Sequence, residues 1–398
     1  MMKNRYNRII LIVLDSLGVG ASNDANLYND IGANTFLHIY EQYPKIVMPN
    51  LTKLGWFKNL SILSNQPSIE PFGYYSILSE LSASKDTLCG HYEMMGLISD
   101  KPFQTFSENG FPVALINKLE ELTGHKFIGN IACSGTEIIK QYGERIIKKN
   151  SNELIIYTSD DSVLQIAGNV EHTPLTELYR VCEITRAVTM EDKWMVARVI
   201  ARPFIGSCSE NFIRTSDRKD YALDPPKPTL LDLMKEKGLA TIGIGKIGDI
   251  FNCKGISNSI HSNSNSDGML KLSEQIKQEF TGLCFVNLVD FDAKWGHRRD
   301  VKGYAKEIEI FDQHLGKLLT EIHNDDLLII SADHGNDPTY QGFNHTRELV
   351  PLLMYSKDMS GTGKLCDGEG FSCIAKTIAE NFDIKEDYVG VSYLKQLK

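Results

Sequence analysis

The sequence predicts an α/β protein: a mostly parallel sheet flanked by helices, with a second, smaller α/β unit inserted into the chain. Apolar runs that read as strands buried on both faces, amphipathic helical stretches alternating with them, and a middle segment with its own strand–helix rhythm point to that class. The first run is RIILIVLDSLGVG, apolar from Ile9 to Leu14 and closed by Asp15. Three more follow late in the chain: LCFVNLVDFD, LLIISADHG and LVPLLMY. Between them, DVKGYAKEIEIFDQHLGKLLTEI sets Tyr304, Ile308, Phe311, Leu315, Leu318 and Ile322 at helical spacing, and GFSCIAKTIAENF does so more briefly. PTLLDLMKEKGLATIGIG reads as a helix stopped at Gly238 and followed by a strand. Sheets of this kind bind ligands beyond the carboxyl ends of their strands.

The middle stretch predicts a helix near Pro112 to Leu122, a strand near Phe127 to Ile131, a strand in NELIIYTS, a helix opened at Thr173-Pro174, and a strand in WMVARVIARPF. Pro102 precedes it and the proline-rich DPPKP, Asp224 to Pro228, follows it. The expected organisation is a discontinuous core of residues 1–100 and 220–398, with an inserted unit of residues 101–219. SNSIHSNSNSDG, Ser257 to Gly268, reads as a polar loop.

At 398 residues the chain is long enough for two or three domains with ample buried surface. Its composition, 42% hydrophobic and 23% charged, is that of a soluble globular protein, and no apolar run nears the ~20 residues of a membrane helix. The short run at Ile9 to Leu14 has polar flanks unlike a signal peptide, so a cytoplasmic protein is expected. Eight cysteines are scattered without a CxxC pair and read as reduced thiols. The net charge of −9 argues against a general nucleic-acid surface, and nothing points to an obligate protein partner. A small phosphorylated substrate stays compatible with it, because metal ions and a few Lys or Arg invert the local sign.

Metal-ligand residue types stand at the ends of these strands. Asp15 closes the first, Asp292 and His297 follow the second, Asp333 and His334 follow the third, and His345 comes eleven residues after His334. Singly, an Asp after a strand caps a turn or a helix. Three Asp and three His at one sheet edge are what a binuclear divalent-metal centre requires. Hard carboxylates with imidazoles and no thiolate suit Mn, Zn, Fe or Mg. Adjacent Asp333 and His334 cannot point the same way from an extended segment, so a turn must begin there, and Gly335 permits it. SKDTLCGH places Thr87 before a plausible helix, LCGHYEMMG. Thr87 reads either as a helix cap or as a nucleophile, and a helix N-terminus favours a phosphate on its side chain.

The strings LIVLDSLGVG, GANTFLHI, KDTLCGHYEMMG, YTSDDSVLQIA, ARVIARPF, IGKIGDIF, VDFDAKWGHRRDVKGYAKEIEIFD and ADHGNDPTYQGFNHTRELVP are similar, nearly end to end, to the phosphopentomutases, a family of alkaline phosphatase-like metalloenzymes. The resemblance implies an alkaline phosphatase-like core whose inserted unit acts as a substrate cap. It implies interconversion of ribose 1-phosphate, or its 2-deoxy analogue, with the 5-phosphate. It also implies two manganese ions, a phosphothreonine, a bound 1,5-bisphosphate, and a sugar bisphosphate activator, ribose 1,5-bisphosphate or glucose 1,6-bisphosphate. Thr87 would be the phosphorylated residue. Asp292, His297 and His345 would hold one metal, and Asp15, Asp333 and His334 the other. Ser159, Asp161 and Val163 match positions that face the substrate in the family. Lys246, Arg202 and Arg214 are candidates for binding phosphate, against the plainer reading of solvated surface charges. Leu88 stands where many relatives carry proline, which bears on how the helix starts rather than on the chemistry.

The rival within the fold is a metal-dependent phosphatase or a phosphoglycerate-type mutase. Those tend to place serine at the nucleophile position, and YTSDDSV favours a pentose reader. A non-catalytic metal-binding scaffold is disfavoured because Thr87 and all six ligand types are intact. His91, one helical turn past Thr87, reads as orienting the site or as packed. His38, His125, His172, His261, His314 and His323 read as surface or capping residues. Trp295, between two proposed ligands, must pack near them, and Arg298 and Arg299 either steer an anion or pair with acids.

Overall fold

The computed structural model describes residues 4–59, 70–101, 103–149, 151–159, 162–342 and 344–398. The chain forms two compact units, Met1–Pro102 with Pro225–Lys398, and Phe103–Asp224. Along the first unit come β1 (Arg8–Leu14), buried throughout, and α1 (Thr35–Gln42), whose N-cap Asn34 accepts from the Leu37 N–H. β2 (Tyr74–Ser79) alternates between buried and half-buried residues. α2 (Thr87–Met94) starts where the Asp86 carboxylate accepts the Cys89 N–H.

The second unit holds α3 (Val113–Thr123), β3 (Lys126–Ala132), α4 (Gly135–Ile146), β4 (Glu153–Thr158), β5 (Val163–Asn169), α5 (Leu175–Val188), β6 (Arg198–Ile205), β7 (Ile213–Arg214) and β8 (Lys219–Ala222). Its mixed sheet runs β3-β4-β5-β6-β7, with β8 also paired to β6. Because Lys219–Ala222 pairs with Ala201 back to Arg198, this unit extends past the expected end at residue 219. Alternate strand residues feed two cores: Leu154, Ile156, Leu164 and Ile166 pack on one face, and Ile155, Tyr157, Ala167 and Phe204 on the other.

Back in the first unit follow α6 (Leu230–Glu236), β9 (Ala240–Ile244), β10 (Asn258–Ile260), α7 (Asn265–Gln275), β11 (Gly282–Leu288), α8 (Val301–Glu321), β12 (Asp326–Ser331), β13 (Val350–Tyr355) and α9 (Ser372–Asn381). The stretch Ser257–Gly268 is thus not simply loop. Asn258–Ile260 pairs with Ile242–Ile244, and Ser264 caps α7 by accepting the Asp267 N–H. The expected face of α8 is buried, from Tyr304 through Ile308, Phe311 and Leu315 to Leu318. Between β11 and α8, Phe291–Gly296 forms a wide π-helical turn.

The strand order of this sheet is β10-β9-β11-β1-β12-β13-β2. β10, β9, β11, β1 and β12 are parallel, β13 runs against β12, and β2 against β13. The register Leu14↔Leu288 and Val13↔Ser331 brings the carboxyl ends of β11, β1 and β12 level. β2 ends at that same edge and β13 begins there. At the opposite end, buried Arg8 forks onto Asp326 at 2.6 and 2.7 Å, tying β1 to β12 with both charges hydrogen-bonded. All eight cysteines are free.

Candidate active site

The level strand ends deliver the side chains. Asp15 follows β1, Asp292 lies in the π-helical turn after β11 and His297 directly follows it, Asp333 and His334 follow β12, and His345 precedes β13. In the π-helical turn the His297 N–H donates to the Asp292 carbonyl five residues back, at 3.0 Å. That wide turn places the two side chains together: His297 Nε2 is 3.1 Å from Asp292 Oδ2. His345 Nε2 lies 3.4 Å from Asp292 Oδ1 and 3.1 Å from His297 Nε2.

The second cluster shares His334. Its Nε2 is 3.5 Å from Asp15 Oδ1, 3.4 Å from Asp333 Oδ2 and 3.1 Å from Thr87 Oγ1. The His334 and His345 rings stack with centroids 4.0 Å apart, so the two clusters are contiguous. His334 Nδ1 donates to the Gly335 carbonyl at 3.0 Å, and His345 Nδ1 to the Lys85 carbonyl at 3.0 Å. Each bond leaves Nε2 as the lone-pair atom facing the carboxylates, as metal-binding imidazoles are ordinarily held.

Electrostatics fit a cation site. Burial, with Asp333 and Asp292 close by, pushes the Asp15 carboxyl well above its ordinary range. Burial also opposes ionisation of Asp292, but the His345 and His297 imidazoles outweigh it and hold that carboxyl well below the usual range. Asp333 is likewise lowered, His334 and His91 outweighing burial. Burial lowers the His334 imidazole, favouring the neutral form that can ligate. Asp15 Oδ1 and Asp333 Oδ2 are buried without a hydrogen-bond partner among the described residues. Orphaned carboxylate oxygens facing neutral imidazole nitrogens are what one or two divalent cations would satisfy.

Among the described residues, ligand atoms of Asp15, Asp333 and His334 lie within 4.8 Å of one another, as do those of Asp292, His334 and His345. A third such group, His323, Asp325 and Asp326, has its buried carboxylate committed to Arg8 and no feature that points to a ligand.

Thr87, half-buried, is the first residue of α2. The helix approaches the β12 end closely because residue 90 is glycine: a Cβ there would lie 2.3 Å from the Asp333 carbonyl oxygen. His91, one turn on, donates from Nδ1 to the Thr87 carbonyl at 2.8 Å and lies 3.2 Å from Asp333 Oδ2. Its Nε2 accepts from Asn287 Nδ2 at 3.2 Å, and the same Asn287 amide donates to Asp15 Oδ2 at 2.8 Å.

Asn287 was legible only as the single polar residue in an otherwise apolar strand. Asn336, whose Nδ2 donates to Asp292 Oδ1 at 2.8 Å, and Ser16, whose N–H donates to Asp333 Oδ1 at 3.0 Å, gave no local signal. Ser16 takes the left-handed conformation, φ 72°, which turns the chain directly after Asp15. Arg299 clasps the following loop through the Asn336 side chain and the Asp337 and Gly342 carbonyls. His38 is hydrogen-bonded to Asp337.

Lys246 follows β9 at the same sheet edge, half-buried, and its charge favours the ionised Asp15. No hydrogen-bond or ion-pair partner is found for its ammonium among the described residues. In the second unit Ser159 follows β4, and the pairings Val163↔Arg198, Ala167↔Arg202 and Phe204↔Arg214 put Val163, Arg202 and Arg214 on one face of the sheet. Arg202 donates to Gln165 at 2.9 Å. Burial lowers its guanidinium, and Arg218 and Arg214 add to the effect. Asp161 lies outside the described residues.

A model of the metalloenzyme superfamily matches residues 7–386. A phosphopentomutase of Agathobacter rectalis is 51% identical, aligned over 99% of this chain and 100% of its own. One of Clostridium beijerinckii is 50% identical over 99% of each. Among solved structures, a phosphoglycerate mutase of Leishmania mexicana overlays with a TM-score of 0.50 at 12% identity, covering 98% of each chain. That last likeness is one of fold alone.

Proposed function

This chain belongs to the phosphopentomutase family of the alkaline phosphatase-like metalloenzyme superfamily, and from that premise we propose that it interconverts (2-deoxy)ribose 1-phosphate and 5-phosphate through a phosphorylated Thr87. The observation that carries the reading is the Thr87 hydroxyl 3.1 Å from His334, inside the cluster of buried carboxylates and imidazoles.

In this reading the free hydroxyl of the sugar phosphate attacks the phosphorus carried by Thr87. The P–Oγ1 bond breaks as the new P–O bond forms, and the hydroxyl proton ends on Thr87 Oγ1. The resulting 1,5-bisphosphate reorients. Thr87 Oγ1 then takes the other phosphoryl group, and the freed sugar oxygen recovers a proton. Two divalent cations, manganese by the family resemblance, held by Asp15, Asp333 and His334 and by Asp292, His297 and His345, would neutralise phosphoryl charge and lower the cost of the alkoxide.

The protein's own part is positioning. The N-terminus of α2 favours anionic oxygens on Thr87, and His91 and Asn287 hold that helix turn against the carboxylates. Lys246, whose ammonium has no partner among the described residues, is suited to a substrate phosphate. Residues 103–224 would serve as the cap that excludes water. By the family resemblance, Ser159, Asp161 and Val163 would bind the sugar, and Arg202 and Arg214 its distal phosphate. Ribose 1,5-bisphosphate or glucose 1,6-bisphosphate would load Thr87 initially. No helix among the described residues is long and apolar enough to cross a membrane, and a cytoplasmic location remains part of the proposal.

The test is to supply Mn²⁺ and glucose 1,6-bisphosphate and follow ribose 1-phosphate becoming ribose 5-phosphate. Inorganic phosphate as the dominant product would overturn the mutase reading.

A further inference from the structure

Two residues beyond His345, Arg347 occupies the centre of a hydrogen-bond cluster that none of the site chemistry above uses. Its side chain is 2% exposed. One face of the guanidinium meets acids: Nη1 donates to Glu80 Oε2 at 2.6 Å, and Nη2 to Asp24 Oδ2 at 2.9 Å. The rest reaches backbone. Nη2 donates to the Glu80 carbonyl at 2.7 Å, and Nη1 to the Ser82 carbonyl at 2.9 Å and to the Ser84 carbonyl. The next carbonyl along, Lys85, accepts from the His345 ring at 3.0 Å. Asp30 completes the tie, its Oδ2 accepting the Arg347 N–H at 2.8 Å and the Lys85 ammonium at 2.7 Å.

Residues 80–85 lie between β2 and α2 with no strand or helix of their own. Their carbonyls need partners on burial, and Arg347 and His345 supply four of them. A buried ion pair adds little net stability over an apolar pair of similar volume, so its main contribution here is geometry. We propose that Arg347 is a positioning residue for phosphoryl transfer: it locks the segment leading into Thr87 onto the segment before β13 that carries His345, setting the hydroxyl against the metal cluster. This rests on the assignment of Thr87 as the phosphoryl carrier.

The test compares Arg347→Lys and Arg347→Gln with the parent enzyme well below their unfolding temperatures. Intact-protein mass spectrometry follows loading of Thr87 from glucose 1,6-bisphosphate, and product analysis gives the ratio of isomerisation to inorganic phosphate release. That ratio is insensitive to how much of a preparation is folded, because both products come from the folded fraction. Calorimetric Mn²⁺ affinity serves as the control. Loading should slow by about 10- to 100-fold, the scale expected when a reacting group is misplaced by about 1 Å. The product ratio should shift toward phosphate release, with Mn²⁺ affinity retained.

Parent-like loading and product ratio in both variants would overturn the proposal. So would Mn²⁺ affinity lost in step with loading, which marks general collapse. Should Arg347→Gln not fold, Arg347→Lys and Asp24→Asn, which loosens only the outer contact, carry the same readouts. Thr87→Val is run alongside. If it remains active, the carrier assignment itself fails; if it is inactive while the Arg347 variants behave as parent, only the positioning role fails.

Discussion

The Nε2 atom of His334 stands 3.1 Å from Thr87 Oγ1, although the two residues are 247 positions apart and belong to different elements. The same nitrogen faces Asp15 and Asp333, so the hydroxyl is held where a cation bound to those groups would also reach it. Thr87→Val keeps the side-chain shape and removes the oxygen. It should reduce turnover to background while Mn²⁺ binding by calorimetry stays near the parent value. Thr87→Ser, which keeps the hydroxyl, should retain part of the activity. An active Thr87→Val enzyme would place the nucleophile elsewhere.

Gly90 sets how closely α2 meets the end of β12. In Gly90→Ala the new methyl meets the Asp333 carbonyl oxygen at 2.3 Å, a backbone atom that cannot rotate away. Overpacking of this kind costs about 1–3 kcal/mol, and the helix carrying Thr87 should shift outward. Urea unfolding should report the loss of stability, and Thr87 loading should slow beyond what the folded fraction explains.

Asn287 joins Asp15 to His91 through one amide group. Asn287→Leu removes both bonds with little change in volume. Outer hydrogen-bond partners of metal ligands contribute about 10- to 100-fold in affinity, so calorimetry on chelator-stripped enzyme should show a Mn²⁺ loss on that scale. An unchanged affinity would mean that Asp15 needs no support from this side.

Metal binding should be coupled to protons. The Asp15 carboxyl is raised by burial and by its carboxylate neighbours, so in the metal-free protein it keeps its proton into a higher pH range than an ordinary aspartate. A divalent cation must displace that proton. Apparent Mn²⁺ affinity should therefore fall as pH falls, with proton release seen as a buffer-dependent binding heat. Stripping the metal should also lower the melting temperature, since a ligand at 100 times its Kd contributes about 2.7 kcal/mol.

Glu348 gives a separate pH signature. Its carboxylate accepts from the Thr35 N–H at 2.9 Å, the Thr35 hydroxyl at 2.7 Å and the Thr346 hydroxyl at 2.6 Å, yet burial outweighs these bonds and lifts its pKa from 4.5 to about 7. Between those values the unfolded chain is ionised and the folded one is not, so stability falls as pH rises through that window and levels off above it. Measured by denaturant unfolding, the stability of the parent relative to Glu348→Gln should drop by roughly 3 kcal/mol across the window. A difference independent of pH would show that the carboxylate is ionised throughout.

What was legible in the sequence follows from how the sheet is built. Parallel strands buried on both faces are unmistakable apolar runs, and the polar residue that ends each one is forced to the same edge. Asp15, Asp292, Asp333 and His334 stand out for that reason. Residues acting through long-range hydrogen bonds carry no such mark. Arg347 looks like any charged residue after His345, because its partners lie 263 to 323 positions away. Ser257–Gly268 read as loop because Ser and Asn dominate it, while pairing with β9 and the capping of α7 depend on groups the local composition does not reveal. Asn287 falls between: a lone amide in an apolar strand is visible, but its service to both Asp15 and His91 is not.

The π-helical turn after β11 makes chain length itself a functional variable. Asp292 and His297 meet because His297 stands five positions after Asp292 and the turn is wide enough to bring its side chain back beside the carboxylate. Shortening it by one position would wind the segment into an ordinary helical turn, where residues four apart still share a face, but the chain entering α8 would then be one residue short of its packed position, even with every ligand type still present. Exposed Ala293 can change in kind, but the count between Asp292 and His297 cannot. Variation here should arrive as replacement rather than as insertion or deletion.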